Sequence, residues 1–442
     1  MNEVEIKAKE AYNSSLLMAN LSSDDKNGAL ESIAEVIWDK RLEIIKANKK
    51  DSEYAQKLVS SGEITEAIYK RLVLDEAKIK KIVDMVRSVS LLSDPIGETL
   101  YSMKLDDNLN LYRVTSPIGV IGFIFESRPD ALVQIASLCL KSGNSCVLKG
   151  GSEAKNSNIV LFEIIREATS NLPYGWIQLL EARQQVRDLL ELDRYVDLII
   201  PRGSNNFVRY IQNNTRIPVL GHSEGVCNIY VDYKVDINMA INVCYDSKVQ
   251  YPAVCNAVDC VLVHKDVAEN IIPILIKKLK KGGVKVRADT RVQGIIQDAV
   301  ETLTESDLGA EYLDYILALR VVDSLEEAVD YINQYGSHHT DAILTTNEIN
   351  AKKFMSTVDS ASVFWNASTR FADGYRYGLG AEVGISTGKI HARGPTGLEG
   401  LVSYKYYLKG DGHIVSDYVE KNREFIHKKT NNDWRDYHLN TT

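Results

Sequence analysis

The residue best suited to covalent chemistry is Cys255, in the segment Tyr251-Pro-Ala-Val-Cys-Asn256. The polar Gln250 precedes this segment, and an apolar run over 258–263 predicts a buried strand just after it. A cysteine on a turn between two elements is accessible to a substrate, and its thiolate is a strong nucleophile for acyl transfer. A lone cysteine is more often a buried structural residue, so the rest of the chain has to decide between the two interpretations.

Two segments have the pattern of a strand, a tight turn and a helix. The first follows residues 145–149, and the second follows residues 196–200. A helix N-terminus offers free N–H groups to a phosphate or a ribose oxygen, so the two turns together favour a dinucleotide site. Each turn alone is a common connector, and the Gly-x-Gly-x-x-Gly fingerprint is absent from the sequence. The candidate residues are Lys149, Gly151, Ser152, Gly203 and Ser204.

The bulk properties indicate a reduced, cytoplasmic, multidomain protein. A chain of 442 residues exceeds the usual size of one hydrophobic core. The net charge of −8 argues against nucleic-acid or membrane-surface partners, although it leaves room for a local basic pocket. The six cysteines are scattered without a disulfide or metal-binding spacing. The N-terminus lacks a signal-peptide pattern, and the apolar run 120–125 is too short to cross a membrane.

The order of patterns along the chain predicts an α/β fold. Helical periodicity dominates residues 1 to about 92. Alternating strands and helices then occupy 117–232 and, in a second block, 238–365, which is typical of mostly parallel sheets. The predicted strands are 120–125, 145–149, 176–180, 196–200 and 228–231 in the first block, and 258–263, 315–322 and 342–345 in the second.

Outside the two blocks, period-two alternation over 100–114, interrupted by the turn residues 106–108, predicts a β-hairpin, and alternation over 402–408 predicts a further β-strand. Their edges would be exposed unless another chain pairs with them, so we expect a homo-oligomer. The predicted domains are a cofactor-binding domain (1–98 and 118–235), a catalytic domain (236–385), an oligomerisation β element (99–117 and 400–413) and a C-terminal helix followed by a disordered tail (414–442).

Several long segments resemble the γ-glutamyl phosphate reductase family, a branch of the aldehyde dehydrogenase superfamily. The resemblance runs in order over about residues 5–413 and implies an aldehyde dehydrogenase-like fold with two Rossmann-like α/β domains and a small β element. The matching segments are Ser116-Pro-Ile-Gly-Val-Ile-Gly-Phe-Ile-Phe-Glu-Ser-Arg-Pro-Asp130, Leu148-Lys-Gly-Gly-Ser-Glu153, Tyr251-Pro-Ala-Val-Cys-Asn256, Asn366-Ala-Ser-Thr-Arg-Phe-Ala-Asp-Gly374, Gly378-Leu-Gly-Ala-Glu-Val-Gly-Ile-Ser-Thr387 and His391-Ala-Arg-Gly-Pro395.

The resemblance implies the reduction of L-glutamyl 5-phosphate by NADPH to L-glutamate 5-semialdehyde and phosphate, the second step of proline biosynthesis. Cys255 matches the family's nucleophile and would form a thioester. A separate glutamate 5-kinase is expected to supply the labile substrate. The superfamily's oxyanion asparagine aligns with Arg128, which is suited to bind the leaving phosphate and is otherwise a structural arginine. The water-activating glutamate of oxidising relatives falls on Gly221, with Glu224 close by in sequence.

The resemblance also implies the ligand contacts. Ser152 occupies the position where NAD-preferring relatives often carry a glutamate, and Lys149 and Lys155 lie around it, which favours NADPH although Glu153 is adjacent. Glu311 matches the glutamate that steadies the nicotinamide ribose. For the substrate's α-carboxylate and α-amino group the candidates are Ser368, Thr369 and Arg370.

Two alternative functions stay open. One is another reductive acylating enzyme of the superfamily, acting on a CoA thioester or a different acyl phosphate. The other is a non-catalytic scaffold that keeps the fold only for assembly. The Ser-Arg-Pro-Asp and Asn-Ala-Ser-Thr-Arg segments disfavour the first, and the joint presence of Cys255, Lys149 and Glu311 disfavours the second.

Overall fold

The computed structural model describes residues 2–64, 66–126, 128–182, 184–203, 205–221, 224–296 and 300–437. The α-helices in these ranges are α1 Glu3–Met18, α2 Ser23–Asp39, α3 Arg41–Ser60, α4 Glu66–Leu72, α5 Glu76–Ser90, α6 Pro129–Lys141, α7 Lys155–Ala168, α8 Gln185–Leu190, α9 Asn205–Asn213, α10 Ile237–Val249, α11 Lys265–Lys281, α12 Thr290–Ile295, α13 Leu325–Tyr335, α14 Glu348–Thr357 and α15 Val415–Val419. The strands are β1 Thr99–Asp106, β2 Leu109–Pro117, β3 Val120–Phe125, β4 Ser145–Lys149, β5 Ile177–Leu180, β6 Leu198–Arg202, β7 Cys227–Val231, β8 Val258–His264, β9 Lys285–Ala288, β10 Glu301–Thr302, β11 Ile316–Val322, β12 Thr340–Leu344, β13 Ser362–Trp365, β14 Gly384–Ser386, β15 Gly394–Thr396, β16 Val402–Lys409 and β17 Lys428–Thr430.

The N-terminal helices form where the periodicity predicts them. Ser22 and Asp25 make a capping box that starts α2, and the Asp75 side chain caps α5 by accepting from the Lys78 N–H. The apolar faces of these helices pack against α6 and α7 in one continuous core that reaches the first sheet. The prediction of helices up to about residue 92 is therefore confirmed.

The first sheet is parallel and has the order β5-β4-β3-β6 among the described residues. Its strands are short and almost wholly buried, because helices cover both faces and leave no side for polar residues. The carboxyl ends of β3, β4 and β6 lie at one edge, where each strand gives way to a turn and then a helix. The predicted α/β pattern of this block is confirmed.

The second sheet, also parallel, has the order β10-β9-β11-β8-β7-β12-β13. It contains β7, which the expected domain boundary at residue 235 had placed with the first sheet. An apolar sequence indicates that a strand is buried, but it does not indicate which strands lie beside it. Here β8 and β12 flank β7 on its two sides. The strands β9, β10 and β13 were not predicted, because they are short and carry polar or exposed residues.

The third sheet is antiparallel, with the order β16-β2-β1-β17. The predicted hairpin over 100–114 and the predicted strand over 402–408 are both confirmed, since β2 pairs with β1 on one side and with β16 on the other. The tail was predicted as a helix followed by disorder. Instead, the short α15 is followed by β17, whose residues pair with Ser102 to Lys104 of β1. The three residues of β17 are too few and too polar for a strand to be recognised without its partner.

No helix in the described part of the chain is both long enough and apolar enough to span a membrane.

Candidate active site

Cys255 lies on the loop between α10 and β8 and is half-buried, whereas the other five cysteines are buried. None of the six takes part in a disulfide. Burial raises the pKa of the Cys244 and Cys260 thiols to about 12 and raises that of Cys227 well above its ordinary value, which keeps these groups protonated and unreactive. Cys255 is therefore the cysteine that a substrate can reach.

The backbone of the Cys255 loop is held from several sides. A Cβ placed on Gly225 would lie 2.3 Å from the Cys255 Cβ and 2.5 Å from its carbonyl oxygen, so only glycine permits this close approach. The Cys227 thiol donates to the Cys255 carbonyl at 3.2 Å. The Asn256 side chain donates to the carbonyl of Ala372 at 2.7 Å. These contacts hold the Cys255 backbone in place.

An ion pair inside the protein joins the two ends of this loop. Lys248, in the last turn of α10, donates to Asp259 in β8 at 3.2 Å, and both side chains are almost wholly buried. Burial lowers the pKa of Lys248 and raises that of Asp259 to about 6, while each charge partly offsets the shift of the other. The backbone N–H of Tyr312 also donates to Asp259, at 3.3 Å. The pair therefore connects the Cys255 loop to the segment that carries Glu311.

Of the three candidates for the substrate's amino-acid end, the structure brings Arg370 to the loop. Its Nε donates to the Gln250 side chain at 2.9 Å, and the charge of Cys255 acts on its guanidinium. Ser368 and Thr369 are buried next to it. The Ser247 hydroxyl donates to the Ser368 hydroxyl at 3.0 Å, and the Thr369 hydroxyl has no hydrogen-bond partner among the described residues.

Arg128 lies just before α6, with its side chain about two-fifths exposed and paired with Asp130 at 3.1 Å. The positive charge of Arg128 disfavours the protonated form of Arg202, and both arginines favour the ionised form of Glu382. The two guanidiniums therefore lie near each other. Cys255 also acts on Arg202. The predicted catalytic residues, Cys255 and Arg128, therefore both lie close enough to Arg202 to interact electrostatically with it.

The turn after β4 carries three of the predicted cofactor residues. The Lys149 side chain is buried and donates to the Gly150 carbonyl. Gly151 precedes a 3-10 turn that begins at Ser152, and α7 follows directly. A Cβ on Gly151 would lie 2.0 Å from a Glu153 carboxylate oxygen, so that carboxylate folds over the turn.

The turn after β6 meets the predicted ribose glutamate. Gly203 lies at the carboxyl end of β6, and its neighbour Ser204 lies outside the described residues. Asn205, at the start of α9, donates to a Glu311 carboxylate oxygen at 3.1 Å. The structure thus brings the Gly203 turn of the first sheet together with a segment next to the second sheet.

Comparison with known proteins identifies the family. The model of the aldehyde dehydrogenase family matches residues 2–302. Gamma-glutamyl phosphate reductase from Natronomonas pharaonis is 54% identical over 431 residues, covering 97% of this chain and 98% of the relative. The enzyme of the same name from Acetivibrio thermocellus is 52% identical over 433 residues, covering 98% of each chain. The chain belongs to the gamma-glutamyl phosphate reductases of the aldehyde dehydrogenase family.

Solved structures of this family confirm the aldehyde dehydrogenase-like fold. Gamma-glutamyl phosphate reductase from Thermotoga maritima superposes with a TM-score of 0.90 at 39% identity, covering 93% of this chain and all of that one. Glyceraldehyde-3-phosphate dehydrogenase GapN from Methanocaldococcus jannaschii, complexed with NADP, has a TM-score of 0.66 at 18% identity over 92% of this chain and 94% of that one. The second likeness concerns the fold alone.

Gly221 is the residue predicted to fall at the position of the water-activating glutamate of oxidising relatives. Gly221 lies beside Pro201, where a Cβ would make an ordinary contact at 3.4 Å. Glu224, the acidic residue close by in sequence, makes an ion pair with Arg209. His222 and Ser223 between them lie outside the described residues. The Glu224 carboxylate is thus already bound by a cation.

Sequence reasoning missed three residues that organise the site. Asp259 is the one charge in a run that was treated as apolar, and a lone carboxylate in a buried strand signals a buried partner such as Lys248. Arg202 stands directly before Gly203 in the second predicted turn, where only the glycine and serine were assigned roles. For Lys248, which lies on a helix among ordinary surface types, the sequence held no usable signal.

Proposed function

We propose that this enzyme reduces L-glutamyl 5-phosphate to L-glutamate 5-semialdehyde, using NADPH and releasing phosphate, as the second step of proline biosynthesis. The observation that carries the proposal is the accessible Cys255 on its anchored loop, with arginines on both sides. Arg370 lies close to the loop and suits the carboxylate of an amino-acid substrate. Arg128 lies on the side of the first sheet and suits the phosphate.

In the proposed reaction, the Cys255 thiolate attacks the C5 carbonyl carbon of the acyl phosphate. A C–S bond forms as the C–O bond to phosphate breaks, and phosphate leaves with that electron pair. The resulting thioester has little resonance stabilisation, so it is ready to accept the hydride that a nicotinamide coenzyme would supply when bound. The thiohemiacetal anion then expels the Cys255 thiolate and releases the aldehyde. The backbone N–H of Cys255 is the proposed donor to the oxyanion.

The reaction requires hydride transfer to the thioester to be faster than its hydrolysis, and two features of the site disfavour hydrolysis. Gly221 leaves the position of the water-activating base without a carboxylate, and Glu224 is engaged by Arg209. The thioester would therefore persist long enough to be reduced.

The turns after β4 and β6 fit a dinucleotide coenzyme. A Cβ on Gly150 would lie 2.1 Å from the Asn158 amide nitrogen, so glycine leaves room for the Asn158 side chain beside this turn. Helices begin directly after both turns and offer N–H groups to phosphates. Lys149, Ser152 and Lys155 would hold the adenosine side, and Gly203, Ser204 and Glu311 the nicotinamide side, with Glu311 placed by Asn205.

The proposed reaction is best tested backwards, because the acyl phosphate is unstable. Purified enzyme, L-glutamate 5-semialdehyde and NADP⁺ should give NADPH only when inorganic phosphate is added, measured by the absorbance of the reduced nicotinamide. NADPH formation without phosphate would point to a hydrolytic aldehyde dehydrogenase. Activity with coenzyme A instead of phosphate would indicate a CoA-acylating enzyme, and no turnover of a folded protein with either NADP⁺ or NAD⁺ would favour the scaffold.

The Glu153→Gln variant tests the choice of NADPH over NADH. The Glu153 carboxylate lies over Gly151, where it would repel a 2′-phosphate held by Lys149 and Lys155. Removing its charge should lower KM for NADPH by about three- to tenfold and leave KM for NADH nearly unchanged. The substitution Glu163→Gln on α7 serves as the control. A higher KM for NADH with no change for NADPH would show that Glu153 binds ribose hydroxyls and that NADH is the preferred coenzyme.

We propose that the antiparallel sheet joins this chain into a homo-oligomer. Its outer strand β16 pairs only with β2 in the described residues and exposes Tyr404, Tyr406 and Leu408 on one face. A partner subunit would cover this face and the open edge. Functional coupling to a separate glutamate 5-kinase would limit the loss of the labile substrate.

A further inference from the structure

Arg202 lies at the end of β6, next to the strand that leads to Arg128. Phe125 pairs with Arg202 in the parallel register of β3 and β6, and the Glu126 N–H donates to the Arg202 carbonyl at 3.1 Å. This ladder fixes the backbone of Arg202 at the carboxyl edge of the first sheet. Arg128 follows two residues after Glu126, so the two arginines emerge at the same edge.

The guanidinium of Arg202 is half-buried but has few partners. Its Nη1 donates to the Gln134 side-chain oxygen at 3.4 Å, and it makes no ion pair within the described ranges. Other partly buried arginines of this protein do pair with carboxylates, such as Arg287 with Asp307 and Arg393 with Asp359. The guanidinium has five N–H donors, and among the described residues its side chain makes one long hydrogen bond. Arg202 therefore has donors left to bind an anionic ligand.

The charges around Arg202 have both signs, since Arg128 is a second cation and Glu382 and Asp130 are carboxylates. Burial and the neighbouring Arg128 lower the pKa of the Arg202 guanidinium, and the Glu382 and Asp130 carboxylates partly offset this shift. The half-buried Glu382 carboxylate accepts the Gly374 N–H at 2.8 Å, and burial raises its pKa. Cys255 is among the groups that act on Arg202. Arg202 is therefore a cation that interacts with Cys255 and whose guanidinium makes no direct ion pair in the described part of the chain.

We infer that Arg202, together with Arg128, forms the binding site for the phosphate group that leaves when Cys255 attacks. The inference rests on the proposed function and adds a residue to it. As the C–O bond breaks, its electron pair goes to the departing phosphate, so negative charge grows next to the two guanidiniums. Cations placed there stabilise the transition state more than the bound substrate. Arg202 binds from the buried side, with Gln134 orienting it, and Arg128 from the exposed side.

The test compares Arg202→Met and Arg202→Lys with the wild-type enzyme in the reverse reaction. Arg202→Met should lower kcat/KM for inorganic phosphate by about 100-fold, because a partly desolvated charge contact is lost. Arg202→Lys keeps the charge without the planar fork and should recover only part of it. The dissociation constant for NADP⁺ should stay within about twofold of wild type in both variants. Arg187→Met removes an exposed arginine of α8 that pairs with Glu191, and it serves as the control.

Calorimetric titration with inorganic phosphate separates this inference from the proposed reaction. If the wild-type enzyme shows no phosphate-dependent turnover, the proposed reaction fails, yet phosphate binding that is lost in Arg202→Met still supports the site. Unchanged phosphate affinity and unchanged KM for phosphate in a folded Arg202→Met variant would overturn the inference. A variant that loses NADP⁺ affinity instead would also overturn it, by placing Arg202 against the coenzyme. Circular dichroism establishes that each variant is folded.

Discussion

Cys255→Ala is expected to abolish the reaction in both directions while leaving the fold and NADPH binding unchanged. Without the sulfur no thioester can form, so turnover should fall by on the order of a thousandfold or more. The side chain is half-buried and its loop is held through backbone contacts, so removing the sulfur leaves those contacts in place. Steady-state turnover and the dissociation constant for NADPH are the two measurements.

The matched control is Cys244→Ala, which removes a buried sulfur from α10. It should lower stability slightly and keep turnover near the wild-type value. Modification by iodoacetamide should inactivate wild-type enzyme and Cys244→Ala at similar rates, because both keep Cys255. Turnover in Cys255→Ala close to that of wild type would exclude this residue as the nucleophile.

Lys248→Met should destabilise the protein by about 3–5 kcal/mol near neutral pH, because it leaves Asp259 buried without its cation. The loss should also disturb the site, since Asp259 holds the N–H of Tyr312 next to Glu311. We therefore expect a higher KM for NADPH as well as a lower kcat. Urea unfolding and steady-state kinetics measure the two effects.

The stability of Lys248→Met should depend on pH in a defined direction. Burial raises the pKa of Asp259 to about 6 even with Lys248 beside it, above the ordinary value of about 3.9 for an unfolded chain. Without the lysine the folded-state pKa rises further, so the folded form retains a proton that the unfolded form releases. The variant should be least destabilised below about pH 5 and should lose stability as pH rises towards that folded-state pKa.

Two further variants show whether the cause is the unpaired charge. Lys248→Met combined with Asp259→Asn removes both charges and keeps an acceptor for the Tyr312 N–H, so it should regain most of the stability. Lys26→Met breaks another ion pair with a buried lysine, at 2.9 Å from Asp94 in the N-terminal region, and should destabilise without changing KM for NADPH. Equal kinetic effects of Lys26→Met and Lys248→Met would contradict a positioning role for the Lys248–Asp259 pair.

The predictions that succeeded depend on local patterns. Helical periodicity over the first 92 residues, and alternation over 100–114 and 402–408, predicted elements that the structure confirms. Burial of most strands in the two parallel sheets was evident from runs of apolar residues. Each of these signals lies within a few consecutive residues, so no knowledge of distant contacts was needed.

The predictions that failed concern which distant segments meet. The strand β7 was assigned to the first sheet, although β8 and β12 enclose it in the second. The tail was expected to be a helix followed by disorder. The helix α15 is present, but the segment after it forms β17, which pairs with β1 more than 300 residues earlier in the chain, through contacts such as Ser102 with Thr430. Hydrogen bonding between strands decides both cases, and the residues themselves do not show it.

The amino-acid sequence alone determined that this is an α/β protein whose one nucleophile candidate is Cys255, and its motifs placed it in an enzyme family. Local spacing and residue type are enough for those conclusions. Only the tertiary structure decided what surrounds that cysteine: Gly225 against its backbone, the buried Lys248–Asp259 pair beneath its loop, and Arg202 among the groups that act on it. Charges separated along the chain interact only after folding has brought them together and removed the water between them.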